Sequence, residues 1–189
     1  SYYELGKVLL AKGEVDLSLE NFNRSLELSP ENSEYLIGLA SALAEKKNLE
    51  KALKLVLDAT KNNLKNPELI YALCNLYTKK GSLTIAISHC EKTLELNPNS
   101  FKAMNRLAWL YAKKQIKLDE AEELSNKTLK IFPKRHEYID TLSEIFYVQG
   151  KTDQAIAKIK EALELVPEDP YYKKQLWKFK NKKISPPAT

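Results

Sequence analysis

Bond-making chemistry needs a nucleophile, a base or a metal cluster at workable spacing, and the 189-residue chain is poor in such residues. It has two histidines, His89 and His136, and two cysteines, Cys74 and Cys90. Neither H-x-x-x-H nor C-x-x-C occurs, and no glycine-rich phosphate loop follows a strand-like run. We therefore expect no catalytic residue, no metal site and no cofactor, and read each histidine as an exposed helix or turn position. Cys74 and Cys90 fall on facing helices of one unit of the pattern described below, both in inward slots. A disulfide is one reading; the expectation is two buried free thiols acting as small hydrophobes.

Recognition chemistry is better represented. Tyr71, Asn75 and Lys79 recur every fourth residue, as do Lys102 and Arg106, with Asn105 and Trp109 alongside; Asp140, Glu144 and Tyr147 follow at steps of four and three. On a helix such spacing puts each set on one face. An aromatic ring, a guanidinium and side-chain amides on one face compose a peptide-recognition surface, and Trp109 is the leading residue. Its alternative role is packing against the next unit. Asp140 and Glu144 either pair with the neighbouring Lys102, Asn105 and Arg106 or polarise the surface toward a charged peptide; both readings stay open.

The elements that position these residues follow from a 34-residue period. Prolines recur at Pro30, Pro98, Pro133 and Pro167, and the one skipped unit has Leu64 in the expected place with Pro67 opening the next helix. Between prolines every unit repeats two apolar stripes. The first unit reads Tyr2, Leu5, Gly6, Leu9, then Ser18, Phe22, Ser25; the third reads Ile70, Leu73, Cys74, Tyr77, then Ala86, Cys90, Thr93. Gly6, Ala40, Cys74, Ala108 and Ser143 keep one slot small in the first helix, and Ser18, Ala52, Ala86, Ala121 and Ala155 keep one small in the second. Small residues there let paired helices approach closely. Gly13, Gly81 and Gly150 mark the mid-unit turns, where a left-handed residue ends a helix. Gly38 lies inside a helix and the pattern supplies no reason for it. The fourth unit carries one extra residue in its turn.

This pattern resembles the tetratricopeptide repeat family over residues 1 to about 167. The resemblance implies an all-α, right-handed α-solenoid of five tandem helix-turn-helix repeats, at about 1–31, 32–65, 66–99, 100–134 and 135–168. It also implies a non-catalytic scaffold that binds a peptide or helix of a partner in a concave groove lined by the first helix of each repeat. The ten recognition residues above are the groove candidates. Some family members clamp a peptide carboxylate with lysines, asparagines and an arginine from three repeats. Lys102 and Arg106 match one part of that clamp, while Ile37, Ser41 and Ala72 stand where the others belong. A full clamp is not expected; Arg106 is retained as a bidentate carboxylate ligand.

After Pro167 the register fails, because Trp177 fills the slot kept small elsewhere. Residues 169–183 are read as a capping helix and 184–189 as a flexible tail. The first helix shows no matching cap, so either further repeats precede it or it self-associates. The formal charge of +5 is concentrated near the end, where residues 168–183 hold six lysines against two carboxylates. The body is near neutral, which argues against nucleic acid as a partner and leaves an RNA-binding helical-repeat protein as the alternative reading. No run of 18 apolar residues spans a membrane. The sequence assigns no compartment.

Overall fold

The computed structural model describes residues 1–182; Lys183 of the expected cap and the expected tail, 184–189, lie outside the described residues. The described chain is helical throughout, with no strand. Helices α1 (Tyr2–Ala11) and α2 (Val15–Leu28), α3 (Ser33–Glu45) and α4 (Leu49–Asn62), and α5 (Pro67–Lys80) and α6 (Leu83–Leu96) make three hairpins. Helices α7 (Phe101–Lys114) and α8 (Leu118–Ile131), and α9 (His136–Val148) and α10 (Thr152–Leu165), make two more, followed by α11 (Pro170–Asn181). Each hairpin falls within one expected repeat. The chain separates into two compact units, Ser1–Pro98 with three hairpins and Asn99–Thr189 with two hairpins and α11.

Within each unit a helix packs on its hairpin partner, and the second helix of one hairpin packs on the first helix of the next. The small slots explain how. Ala52, Ala86, Ala121 and Ala155 are completely buried, as is Ser18, whose Oγ donates a hydrogen bond of 2.8 Å to the carbonyl of Gly6 on the facing helix. The larger stripe residues Val56, Leu73, Leu107 and Ile159 fill the space around them. Full burial of each such side chain contributes about 1.5–3 kcal/mol relative to exposure.

Hairpin boundaries are set locally. Asn32 and Asn66 cap α3 and α5 by accepting from two backbone amides each, Asp169 caps α11 through the amide of Tyr171, and Pro67 and Pro170 open their helices. The glycine turns are left-handed, with φ of 80° at Gly13 and Gly81 and 78° at Gly150. In the other two repeats side-chain-bearing residues adopt this conformation: Lys47 in the second, and both Gln115 and Lys117 in the lengthened turn of the fourth.

Gly38 acquires a reason from the fold. A Cβ placed on it would stand 2.6 Å from a ring carbon of Phe22, and one on Gly6 would stand 2.9 Å from the same ring. The fully buried Phe22 is thus sandwiched between two bare helix backbones. Sequence periodicity flagged Gly6 because it shares a register slot with Ala40 and Ala108; Gly38 shares none.

Two expectations are corrected. Cys74 and Cys90 are joined by a disulfide between α5 and α6, with Cα atoms 5.4 Å apart, and no described cysteine is free. The close approach demanded by the small slots is what brings the two sulfurs into bonding range. The histidines are half-buried rather than exposed. His89 stacks on Tyr77 with ring centroids 5.3 Å apart, and burial lowers its pKa; His136 Nδ1 lies 2.7 Å from the hydroxyl of Tyr172.

Candidate functional site

In the first unit, Tyr71, Asn75 and Lys79 lie four residues apart along α5, half-buried at the first two positions and exposed at Lys79. Lys79 pairs with Glu45 on α3, one repeat earlier, and Lys80 pairs with Glu50 at 2.8 Å. These pairs sit on the surface, where each contributes at most about 1 kcal/mol. They fix side-chain direction more than stability.

In the second unit, α7 carries Lys102, Asn105, Arg106 and Trp109. Trp109 is half-buried between two cations: the Arg106 guanidinium lies 5.7 Å and the Lys113 ammonium 5.3 Å from the ring. Both distances fall in the range of cation–π attraction, so the indole is held as a fixed platform. Beside it, the Oδ1 of Asn105 is buried with no hydrogen-bond partner among the described residues. A buried acceptor without a donor is costly.

The third set is covered. Asp140, Glu144 and Tyr147 on α9 are all buried, and α11 supplies the cover. Asp140 accepts from the Tyr171 hydroxyl at 3.2 Å and from Gln175 Nε2 at 3.4 Å. Glu144 accepts from Gln175 at 3.1 Å, from Lys178 at 2.5 Å and from Lys113 at 3.1 Å. The Tyr147 hydroxyl donates to the carbonyl of Lys182, and its ring lies 4.6 Å from that of Phe179. Glu144 is thus held by Lys113, Lys178 and Gln175, whereas the sequence points to Lys102, Asn105 and Arg106 as its neighbours.

Electrostatics separate the two carboxylates. Burial pushes Asp140 up to about 6, opposed by its hydrogen bonds from Gln175 and Tyr171 and reinforced by the charge of Glu144. Burial also acts on Glu144, but Lys178 and Lys113 outweigh it and hold the group below the usual carboxylate range. Sealed under α11, the pair ties helices together rather than opening on a cleft. The partners Tyr171, Gln175 and Lys178 were absent from the sequence-derived candidates. A signal existed, since adding one 34-residue period to Glu144 gives Lys178, and Gln175 follows Asp140 by 35 residues.

Among the described residues no helix is long and apolar enough to cross a membrane. Tetratricopeptide repeat family models match residues 3–66 and 89–123. The chain is 27% identical over 163 residues to the TPR repeat-containing protein PA4667 of Pseudomonas aeruginosa, covering 85% of this chain and 28% of that protein. The other curated relatives it matches are spanned to a similar or smaller share, down to 14% of their length. Among solved structures, the Thermus thermophilus TPR protein TTC0263 superimposes with a TM-score of 0.79 at 23% identity, over 94% of this chain and 96% of that one. YrrB, described as a TPR protein with an unusual peptide-binding site, gives 0.63 at 18% identity over 92% and 89%. These likenesses establish an all-α helical-repeat solenoid as the fold. Paired helices at a 34-residue period, small residues at their crossings and family matches in both units agree: the chain belongs to the tetratricopeptide repeat proteins, a fold that serves generally as a protein-interaction scaffold.

Proposed function

We propose that the chain is a non-catalytic scaffold that holds a peptide or helix of a protein partner against the exposed side of α7, with α5 offering a second such face in the first unit. The carrying observation is the Trp109 platform, clamped between Arg106 and Lys113 next to the unpartnered Oδ1 of Asn105. An apolar ring fixed by cations accepts an apolar anchor side chain at little entropic cost. Peptide binding by the structural neighbour YrrB supports the reading. Asp140, Glu144 and Tyr147 belong to it only as supports, because their polar atoms are spent on α11. Since the curated relatives are several times longer than this stretch, the scaffold is proposed as one segment of a larger activity.

The test is capture of partners on the immobilised chain, followed by quantitative binding with Trp109→Ala and Arg106→Ala. Loss of at least about tenfold in affinity for each is expected of anchor residues at an interface centre. Binding that survives both substitutions places the partner elsewhere.

A further inference from the structure

Most polar side chains buried among the described residues are hydroxyls, and those of Ser18, Thr93 and Thr128 donate to helix carbonyls. The buried carboxylates are Asp140 and Glu144 and the buried amide is Gln175, and all three meet at one contact, between α9 and α11. Burying such groups costs free energy unless each is fully paired. Here the pairing depends on a proton. Gln175 Nε2 has two hydrogens and three acceptors in reach: Asp140 at 3.4 Å, Glu144 at 3.1 Å and the Tyr171 hydroxyl at 3.2 Å. Lys178 and Lys113 both pair with Glu144, at 2.5 and 3.1 Å, while the Asp140 carboxyl accepts only from the neutral Tyr171 and Gln175. An ionised Asp140 is therefore the under-served member, buried beside a like charge and sharing an amide. A neutral Asp140 asks for less and frees Gln175 for Glu144 and Tyr171.

The rest of the hold on α11 does not involve this carboxyl. Tyr172 and Phe179 are buried, the Phe179 ring lies 4.6 Å from that of Tyr147, and α11 packs along α10. The charges that act on Asp140 are Glu144 on its own helix and Lys178 on α11; none of them is on α10. Tyr171 and Tyr172 face it from α11 as neutral phenols, both held by burial above the usual tyrosine range. Beyond them, Lys113 of α7 reaches Glu144, and His136 bonds the Tyr172 hydroxyl. Burial under α11 holds Asp140 at about 6; with α11 lifted, the carboxyl meets water and moves back toward its ordinary 3.8.

We infer that α11 is a reversible latch on α9, held shut while Asp140 is protonated and loosened once it ionises, so that opening uncovers Asp140, Glu144 and Tyr147 beside α7. Apolar contacts close the latch and one proton tunes it. The docked state holds that proton more tightly than the open one, so docking is strongest at low pH and weakens as pH rises from about 4 to about 6. Across the whole window the weakening is on the order of a hundredfold, the equivalent of about two pH units. Helix α7 carries four cations and no carboxylate, so release sets an acidic face next to a basic one. The latch operates whether or not α7 holds a partner.

Hydrogen–deuterium exchange of the whole chain tests this, read on α9, α10 and α11 at about pH 5 and about pH 7 and corrected for the intrinsic rate at each pH. Protection of α11 is expected to lie below that of α9 and α10 at both values, and to fall about tenfold from the lower pH to the higher. Asp140→Asn keeps a neutral group in place and should make α11 protection the same at both. Gln175→Glu adds a third carboxylate to the cluster and should lower α11 protection by about tenfold or more at the higher pH, leaving α1 to α4 unchanged. Equal protection of α11 and α10 at both values overturns the inference, because the helix then opens only with the whole repeat. So does a pH-independent α11 in the unmodified chain, a tenfold fall that survives Asp140→Asn, or a Gln175→Glu chain with α11 as protected as before.

Discussion

Substituting Gly38 by Ala sets two effects of opposite sign against each other at one atom. The new methyl would stand 2.6, 2.9 and 3.0 Å from three ring carbons of Phe22. Non-bonded carbons rest at about 3.5–4.0 Å, so the ring must retreat by roughly 1 Å. Phe22 is fully buried, and a retreat of that size is overpacking worth about 1–3 kcal/mol. Against it, alanine inside α3 is favoured over glycine by about 1 kcal/mol. The net expectation is a destabilisation between zero and about 2 kcal/mol. The sign becomes diagnostic in a second background. Phe22→Val installs the residue that the second repeat already carries at this position, Val56, and removes the ring. There Gly38→Ala should stabilise by about 1 kcal/mol, since only the helix preference remains. Urea denaturation of the four proteins, followed by far-ultraviolet circular dichroism, gives the coupling directly. An equal loss in both backgrounds would refute the argument that Phe22 is what demands a bare backbone at Gly38.

Other outcomes follow from the same physical reasoning. Reducing Cys74–Cys90, which closes a 16-residue span, should lower stability by about 3 kcal/mol, read as a shift in denaturation midpoint with and without reductant; a loss below about 1 kcal/mol would contradict it. Gln115→Gly should stabilise by about 0.5–1 kcal/mol by relieving a left-handed side-chain-bearing residue, whereas Gly81→Ala should destabilise by about 1 kcal/mol; thermal melts that rank them the other way would show the turns are not strained. Asp140 titrates near 6 when folded and near its ordinary 3.8 when unfolded, so the unfolded chain holds fewer protons between those values and this group's contribution falls as pH rises through the window. Asp140→Asn should therefore gain on the parent between pH 4 and 6, by up to about 3 kcal/mol, and hold that gain above it; a difference independent of pH would remove the raised carboxyl from the account.

The repeats were legible because each rests on residue size at fixed spacing. A proline, a small slot and two apolar stripes recur every 34 residues, and each has one physical reason that acts locally. Gly38 was illegible for the opposite reason: its need comes from a single ring in the preceding repeat, so no other repeat shares it. The cysteines fell between these cases. Periodicity placed both in facing inward slots, yet burial of small apolar residues and a disulfide ask for the same positions, and only the 5.4 Å separation distinguishes them. The recognition set divided similarly. Spacing placed Trp109 beside Arg106, while the fate of Asp140 and Glu144 depended on a helix that the broken register had marked as mere cover. Polar residues one period apart in first helices can find each other as reliably as apolar ones do.

Should the chain bear tension between a partner and whatever it is joined to, the bridge between α5 and α6 changes how it yields. A hairpin pulled from its two ends normally releases its whole contour length. With Cys74 and Cys90 joined, the chain between them, a sequence separation of 16, stays out of the force path, withholding roughly 50 Å of extension until the bond is reduced. The third repeat would then act as a length regulator, giving a shorter step than its neighbours under oxidising conditions and an ordinary one after reduction.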